Sequence, residues 1–134
     1  MSAPDFIHLH VHSEYSLSDS IIRIPQLLQR CRELAMPAVA LTDRSNLFGA
    51  LRFYKAALQM GIKPLIGAEI AWVEKPADEP YRAILLCRNI EGYRSLTALL
   101  SRICTDGFTH AEPLAEQAWI HEHSAGLMML AGMD

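Results

Sequence analysis

Cysteine is scarce in this chain: three residues, Cys31, Cys87 and Cys104, odd in number and far apart. That excludes a disulfide framework and leaves three thiols among apolar neighbours, expected to be buried and free. Long apolar runs are missing too. None approaches the ~20 residues that span a bilayer, and the opening MSAPDF lacks the basic start and apolar core of a signal peptide. A cytoplasmic location with no membrane partner is expected. No excess of positive charge exists: 12 basic against 15 acidic residues, scattered, give a net charge of −3. This segment therefore has no electrostatic footprint for sequence-independent nucleic-acid binding. Internal repeats and low-complexity tracts are absent, and 134 residues leave no room for two independent domains at ~100–200 residues each.

Half of the residues are apolar and a fifth charged, an ordinary globular composition able to bury a core. The pattern alternates between period 2 and period 3.6. FIHLHVH (6–12) reads as a strand. IPQLLQRCRELAM (24–36) reads as a helix, with Ile24, Leu27, Leu28, Cys31 and Leu34 at helical spacing and Pro25 in its first turn. AVALTD (38–43) has the apolar run of a strand covered on both faces, and the following helix carries a Leu47, Leu51, Tyr54, Leu58 stripe with Gly61 as a stop. A third strand, interrupted at Gly67, is predicted over 63–73, a loop over 76–80, and a fourth strand in RAILLCR. The next helix carries Tyr93, Leu96, Leu99, Leu100 and Ile103 on one face and ends near Gly107; a short helix over 114–123 and a final strand, GLMMLAG, complete the chain. Strands alternating with helices predict an α/β fold with mostly parallel strands, open or closed into a barrel.

The chemistry concentrates at the predicted strand ends, where parallel α/β folds collect ligands. On a strand, His8, His10 and His12 would share one face, opposite Ile7, Leu9 and Val11. Thr42 and Asp43 end the second strand, and Glu69 follows Gly67 in the third. Imidazoles and carboxylates together suit zinc, manganese or iron, and such a site activates water for hydrolysis. The alternative is a polar strand face whose histidines are a remnant, and composition alone does not choose between the two.

HLHVHSEYSLSDS, MPAVALTDRSNLFGALRFYKAALQMGIKPLIGAE and RAILLCRNIEGYRSLTALLSR together resemble, collinearly, the amino-terminal part of the PHP domain of bacterial DNA polymerase III alpha subunits, the C-family replicative polymerases. The resemblance implies a distorted seven-stranded β/α barrel, of which residues 1–134 would be the first half; palm, thumb and fingers would lie outside it. It also implies a full-length DNA-directed DNA polymerase using magnesium. The implied partners are a proofreading exonuclease subunit, other polymerase III holoenzyme subunits, and DNA through the rest of the chain.

PHP sites that are intact hold up to three metal ions and can act as 3′–5′ exonucleases. Matching ligand positions here are His10, His12, Asp19 and Glu69. Two positions depart from the pattern. TDR replaces TDH, so Arg44 stands where a histidine is expected, and Arg82 does likewise at the start of its strand. A guanidinium stays protonated and offers no lone pair to a metal. It can instead pair with carboxylates that a metal would otherwise hold, here Asp19, Asp43 and Glu69. The reading that follows is a degraded, catalytically silent metal site without a resident cofactor, in a region serving structure and docking. The alternative is a metal-dependent exonuclease or phosphoesterase keeping zinc or manganese at a partial site. A free-standing small-molecule phosphatase shares the fold but not the match through residues 36–69.

Overall fold

The computed structural model describes residues 6–75, 78–107 and 113–133, the side chains of residues 17–19, 132 and 133 excepted. Contacts divide the chain into two compact units, residues 1–67 and 68–134. We number the helices α1 (Ile24–Glu33), α2 (Ala50–Gln59), α3 (Ile90–Asp106) and α4 (Gln117–Glu122). The strands are β1 (Ala38–Arg44), β2 (Lys63–Val73), β3 (Tyr81–Cys87), β4 (Ala115–Glu116) and β5 (Leu127–Met133).

In the first unit, Pro25 opens α1, where its missing N–H is no loss, and the helix buries Ile24, Leu28 and Cys31. They join Met36, Val39, Leu41, Phe53, Ala57 and Ile62 in one core. β1 is buried along all but its last residue, as its uniformly apolar run predicts. In α2 the buried side is Ala50, Phe53 and Ala57, whereas the predicted stripe points outward: Leu51 is 64% and Leu58 54% exposed. Both faces are apolar, and the one carrying two alanines lets α1 approach closely. Gly61, at φ +73°, ends the helix in the left-handed region, as its position predicts.

FIHLHVH is not a regular strand. It lies along β1 through the Ala40 N–H donating to the His8 carbonyl (2.9 Å) and the Thr42 N–H donating to the Val11 carbonyl (2.8 Å). Two residues of β1 thus face three of the segment, and the extra residue breaks the two-residue alternation that the sequence pattern assumed. Ile7 and Leu9 are exposed rather than covered. Beyond Ser13, which caps it through its side chain, a 3₁₀ turn runs over Glu14–Asp19.

β2 is continuous through Gly67, with no interruption. In the second unit the strands run β2–β3–β5, with β4 on β2. The β2–β4 pair is parallel, but β3 and β5 are antiparallel, in a register pairing Ile84 with Leu130 and Leu86 with Met128. The sheet is therefore mixed, against the prediction of mostly parallel strands. α4 is too short to be a crossover helix, and the chain after it turns at Gly126 (φ +72°) to run back along β3. α3 packs on β3 and β5 through Leu96, Leu99, Leu100 and Ile103, starts under the Asn89 side-chain cap and ends at Gly107. Cys31 is buried, Cys87 half-buried and Cys104 exposed on the outer face of α3, so only the first is the fully buried thiol expected. Burial raises the Cys31 thiol pKa against a weaker backbone hydrogen bond, and pushes Cys87 up to about 11. Among the described residues no helix is long and apolar enough to cross a membrane.

Candidate metal centre

The three histidines do not act as a row. His8 packs edge-to-face against Phe6, ring centroids 4.7 Å apart. His10 and His12 face each other instead, edge-to-face at 4.9 Å, with their Nε2 atoms 3.3 Å apart. That distance has two chemical meanings. With no ion, one imidazole donates an N–H to the lone pair of the other. With zinc, two nitrogens each ~2.0–2.1 Å from a tetrahedral ion stand about 3.3–3.4 Å apart along one edge. The pair already has the separation of two ligands on one ion.

Glu69, on β2, is 2% exposed. Its carboxylate lies 3.9 Å from the Arg82 guanidinium of β3, so one of the two arginines that depart from the ligand pattern stands on a predicted ligand. His10 and His12, in the first unit, and Glu69, in the second, each offer one metal-ligand atom. Imidazole and carboxylate are donor types that suit zinc or manganese. The Asp19 side chain lies outside the described residues.

Asp43 departs from the strand-end reading. It is 2% exposed, and its two oxygens accept from the Ser13 N–H (2.6 Å), the Ser13 hydroxyl (2.7 Å) and the Ser16 hydroxyl (2.8 Å). Its carboxylate is thus satisfied by neutral donors and needs no arginine to compensate it. Ser16 Oγ in turn accepts from the Arg44 N–H at 3.2 Å. Directly after Arg44, Ser45 takes φ +52°, an uncommon conformation outside glycine. Asn46 secures this corner by donating to the Tyr15 and Arg44 carbonyls at 2.9 and 3.0 Å. Sequence reasoning missed Ser13 and Ser16, whose only signal was an S-x-x-S spacing between a histidine run and a polar turn.

A family model described as the PHP domain matches residues 8–134. The chain is 41% identical over 133 residues to the DNA polymerase III subunit alpha of Vibrio cholerae, covering 98% of this chain and 12% of that protein. To the subunit of the same name in Pseudomonas aeruginosa it is 42% identical over 127 residues, 94% of this chain and 11% of that one. The chain thus spans about an eighth of the length of the curated relatives it matches. Among solved structures, a protein of Bifidobacterium adolescentis assigned as a metal-dependent phosphoesterase superposes with a TM-score of 0.58 at 19% identity, over 76% of this chain and 34% of that one. An amidohydrolase of Chromobacterium violaceum, with sulfate and no metal, gives 0.55 at 25% identity, over 72% of this chain and 32% of that one.

Proposed function

The chain belongs to the PHP domain family, and from that premise we propose that it is the amino-terminal PHP region of a bacterial replicative DNA polymerase III alpha subunit, with a degraded metal site and a structural role. The observation that carries this reading is the 41% identity to a polymerase III alpha subunit over 98% of the chain. In this reading residues 1–134 are the first half of a PHP barrel. Magnesium-dependent nucleotidyl transfer belongs to the rest of the polymerase, in the cytoplasm. The region stabilises the polymerase and offers a surface to a proofreading exonuclease subunit within the holoenzyme. Arg82 beside buried Glu69 supports the degraded site, because a cation supplied by the protein offsets the charge that a metal would otherwise balance. Arg44 is proposed as the second such replacement.

A second reading is favoured by the His10–His12 pair, whose Nε2 atoms stand 3.3 Å apart, and by the buried Glu69 carboxylate. These residues, with Asp19 as a further candidate, would hold one zinc or manganese ion, which when bound supplies a Lewis acid and an acidified water for phosphoester hydrolysis. A two-ion clamp needs further ligands at spacings of ~3.5–4 Å, and arginine at two positions withdraws them.

Elemental analysis of protein purified without chelator, beside a His10→Ala/His12→Ala variant, separates the readings. Less than a tenth of an equivalent of metal in both is expected. Stoichiometric zinc or manganese, lost in the variant, would overturn the degraded-site reading in favour of the second.

A further inference from the structure

The His10–His12 pair holds its geometry in a segment without a regular β-ladder, so something other than sheet pairing must fix it. Where the ladder fails, side chains of β1 take over. Thr42 is 0% exposed; its hydroxyl accepts from the Val11 N–H at 3.0 Å and donates to the Val11 carbonyl at 3.3 Å. The next residue, Asp43, accepts from the Ser13 N–H at 2.6 Å. Consecutive residues of β1 therefore seize the amides on either side of His12, and Val11 is also the neighbour of His10. The bulge leaves these amides without backbone partners on β1, and two side chains supply the missing acceptors.

We infer that Thr42 and Asp43 are positioning residues for the His10–His12 pair, holding the two imidazoles at ligand spacing from the protein side, without help from an ion. The inference rests on the reading of those histidines as the site's ligand pair, degraded or partial. Asp43 acts through Ser13 rather than as a ligand, since both its oxygens are engaged. Preorganisation of this kind lowers the ordering cost of binding, because the pair need not be gathered when an ion arrives.

The test is nuclear magnetic resonance on the full chain in the presence of a chelator, followed by zinc chloride titration after the chelator is removed. In the wild type, cross-relaxation between the His10 and His12 ring protons and slow exchange of the Val11 and Ser13 amides are expected. Thr42→Val, nearly isosteric but without the hydroxyl, should lose the ring–ring signal and the Val11 protection. Thr42→Ser should restore both. Asn89→Ala, which removes the α3 cap and destabilises the fold elsewhere, should leave both intact.

If the wild type takes up zinc, Thr42→Val should weaken that uptake tenfold or more, with Thr42→Ser close to wild type. Should Thr42→Val fail to fold, Asp43→Ala replaces it, with loss of Ser13 amide protection and of the ring–ring signal as the expected result. A ring–ring signal that persists in folded Thr42→Val or Asp43→Ala overturns the inference. Failure of the wild type to take up zinc speaks only against the partial-site reading, because the ring–ring signal is read without metal.

Discussion

Replacing Asp43 by alanine tests whether the buried carboxylate is structural. Asp43 is 2% exposed, and its main donor Ser13 is 0% exposed. Alanine leaves the Ser13 N–H, which cannot turn elsewhere, without an acceptor; an orphaned buried donor costs about 1–3 kcal/mol. The two hydroxyls fare better because they rotate, and each already accepts from a backbone N–H, Tyr15 for Ser13 and Arg44 for Ser16. Each lost bond to a charged acceptor is worth about 1.5–3 kcal/mol, and removing the carboxylate also relieves its own desolvation. The net expectation is a loss of about 3 kcal/mol for Asp43→Ala, against total stabilities of about 5–15 kcal/mol for domains. Asp43→Asn should lose about half as much. Its carbonyl, in the Oδ1 place, still accepts from the Ser13 N–H and the Ser16 hydroxyl, while its amide forces the Ser13 hydroxyl, which already accepts, to accept again. Urea unfolding followed by circular dichroism measures both. At an m-value of about 1.5 kcal/mol/M, the alanine midpoint falls by roughly 2 M. A loss below about 1 kcal/mol for alanine, or an asparagine variant no more stable than the alanine one, would refute the reasoning.

A Cβ at Gly92 would collide with the Gly126 carbonyl oxygen, whereas one at Gly61 meets nothing within 4 Å. Gly92→Ala should therefore lose more than about 2 kcal/mol by forcing backbone apart, and Gly61→Ala about 1 kcal/mol from its left-handed φ alone; thermal unfolding gives the order. Alkylation at mildly alkaline pH followed by peptide mass mapping should modify Cys104 first, because it is exposed while Cys31 is buried and burial raises the Cys31 and Cys87 thiol pKa values. The Cys87 thiol ionises at about 11 in the fold against 9.0 when unperturbed, so the unfolded chain gives up that proton first. Its contribution to stability is present below pH 9 and fades as pH rises through 11, and Cys87→Ala should flatten that alkaline slope in urea midpoints measured across pH.

Much of the fold was legible because its signals are local. Pro25, Gly61, Gly107 and the Asn89 cap punctuate helices through their own backbone chemistry, and the uniformly apolar AVALTD announces a strand buried on both faces. The α2 stripe was misread because Leu51, Tyr54 and Leu58 repeat at helical spacing just as Ala50, Phe53 and Ala57 do. Periodicity finds an apolar face but cannot choose between two, and close helix approach chose the small residues. The antiparallel β3–β5 pair was equally hidden, since strand direction depends on whether the chain crosses over or turns back.

For the site, the sequence by itself determined the inventory: histidines at 10 and 12, a carboxylate at 69, and arginines at 44 and 82, where the resemblance leads one to expect histidines. Residue type decides which atoms carry lone pairs, and no folding is needed to know that arginine offers none. Only the tertiary structure decided that His8 leaves the row for Phe6, that His10 and His12 meet at 3.3 Å, that Arg82 reaches Glu69, and that Asp43 holds two serines instead of an ion. Each of those facts turns on one extra residue in the pairing with β1 or on contacts across long stretches of chain, and neither leaves a trace in local spacing.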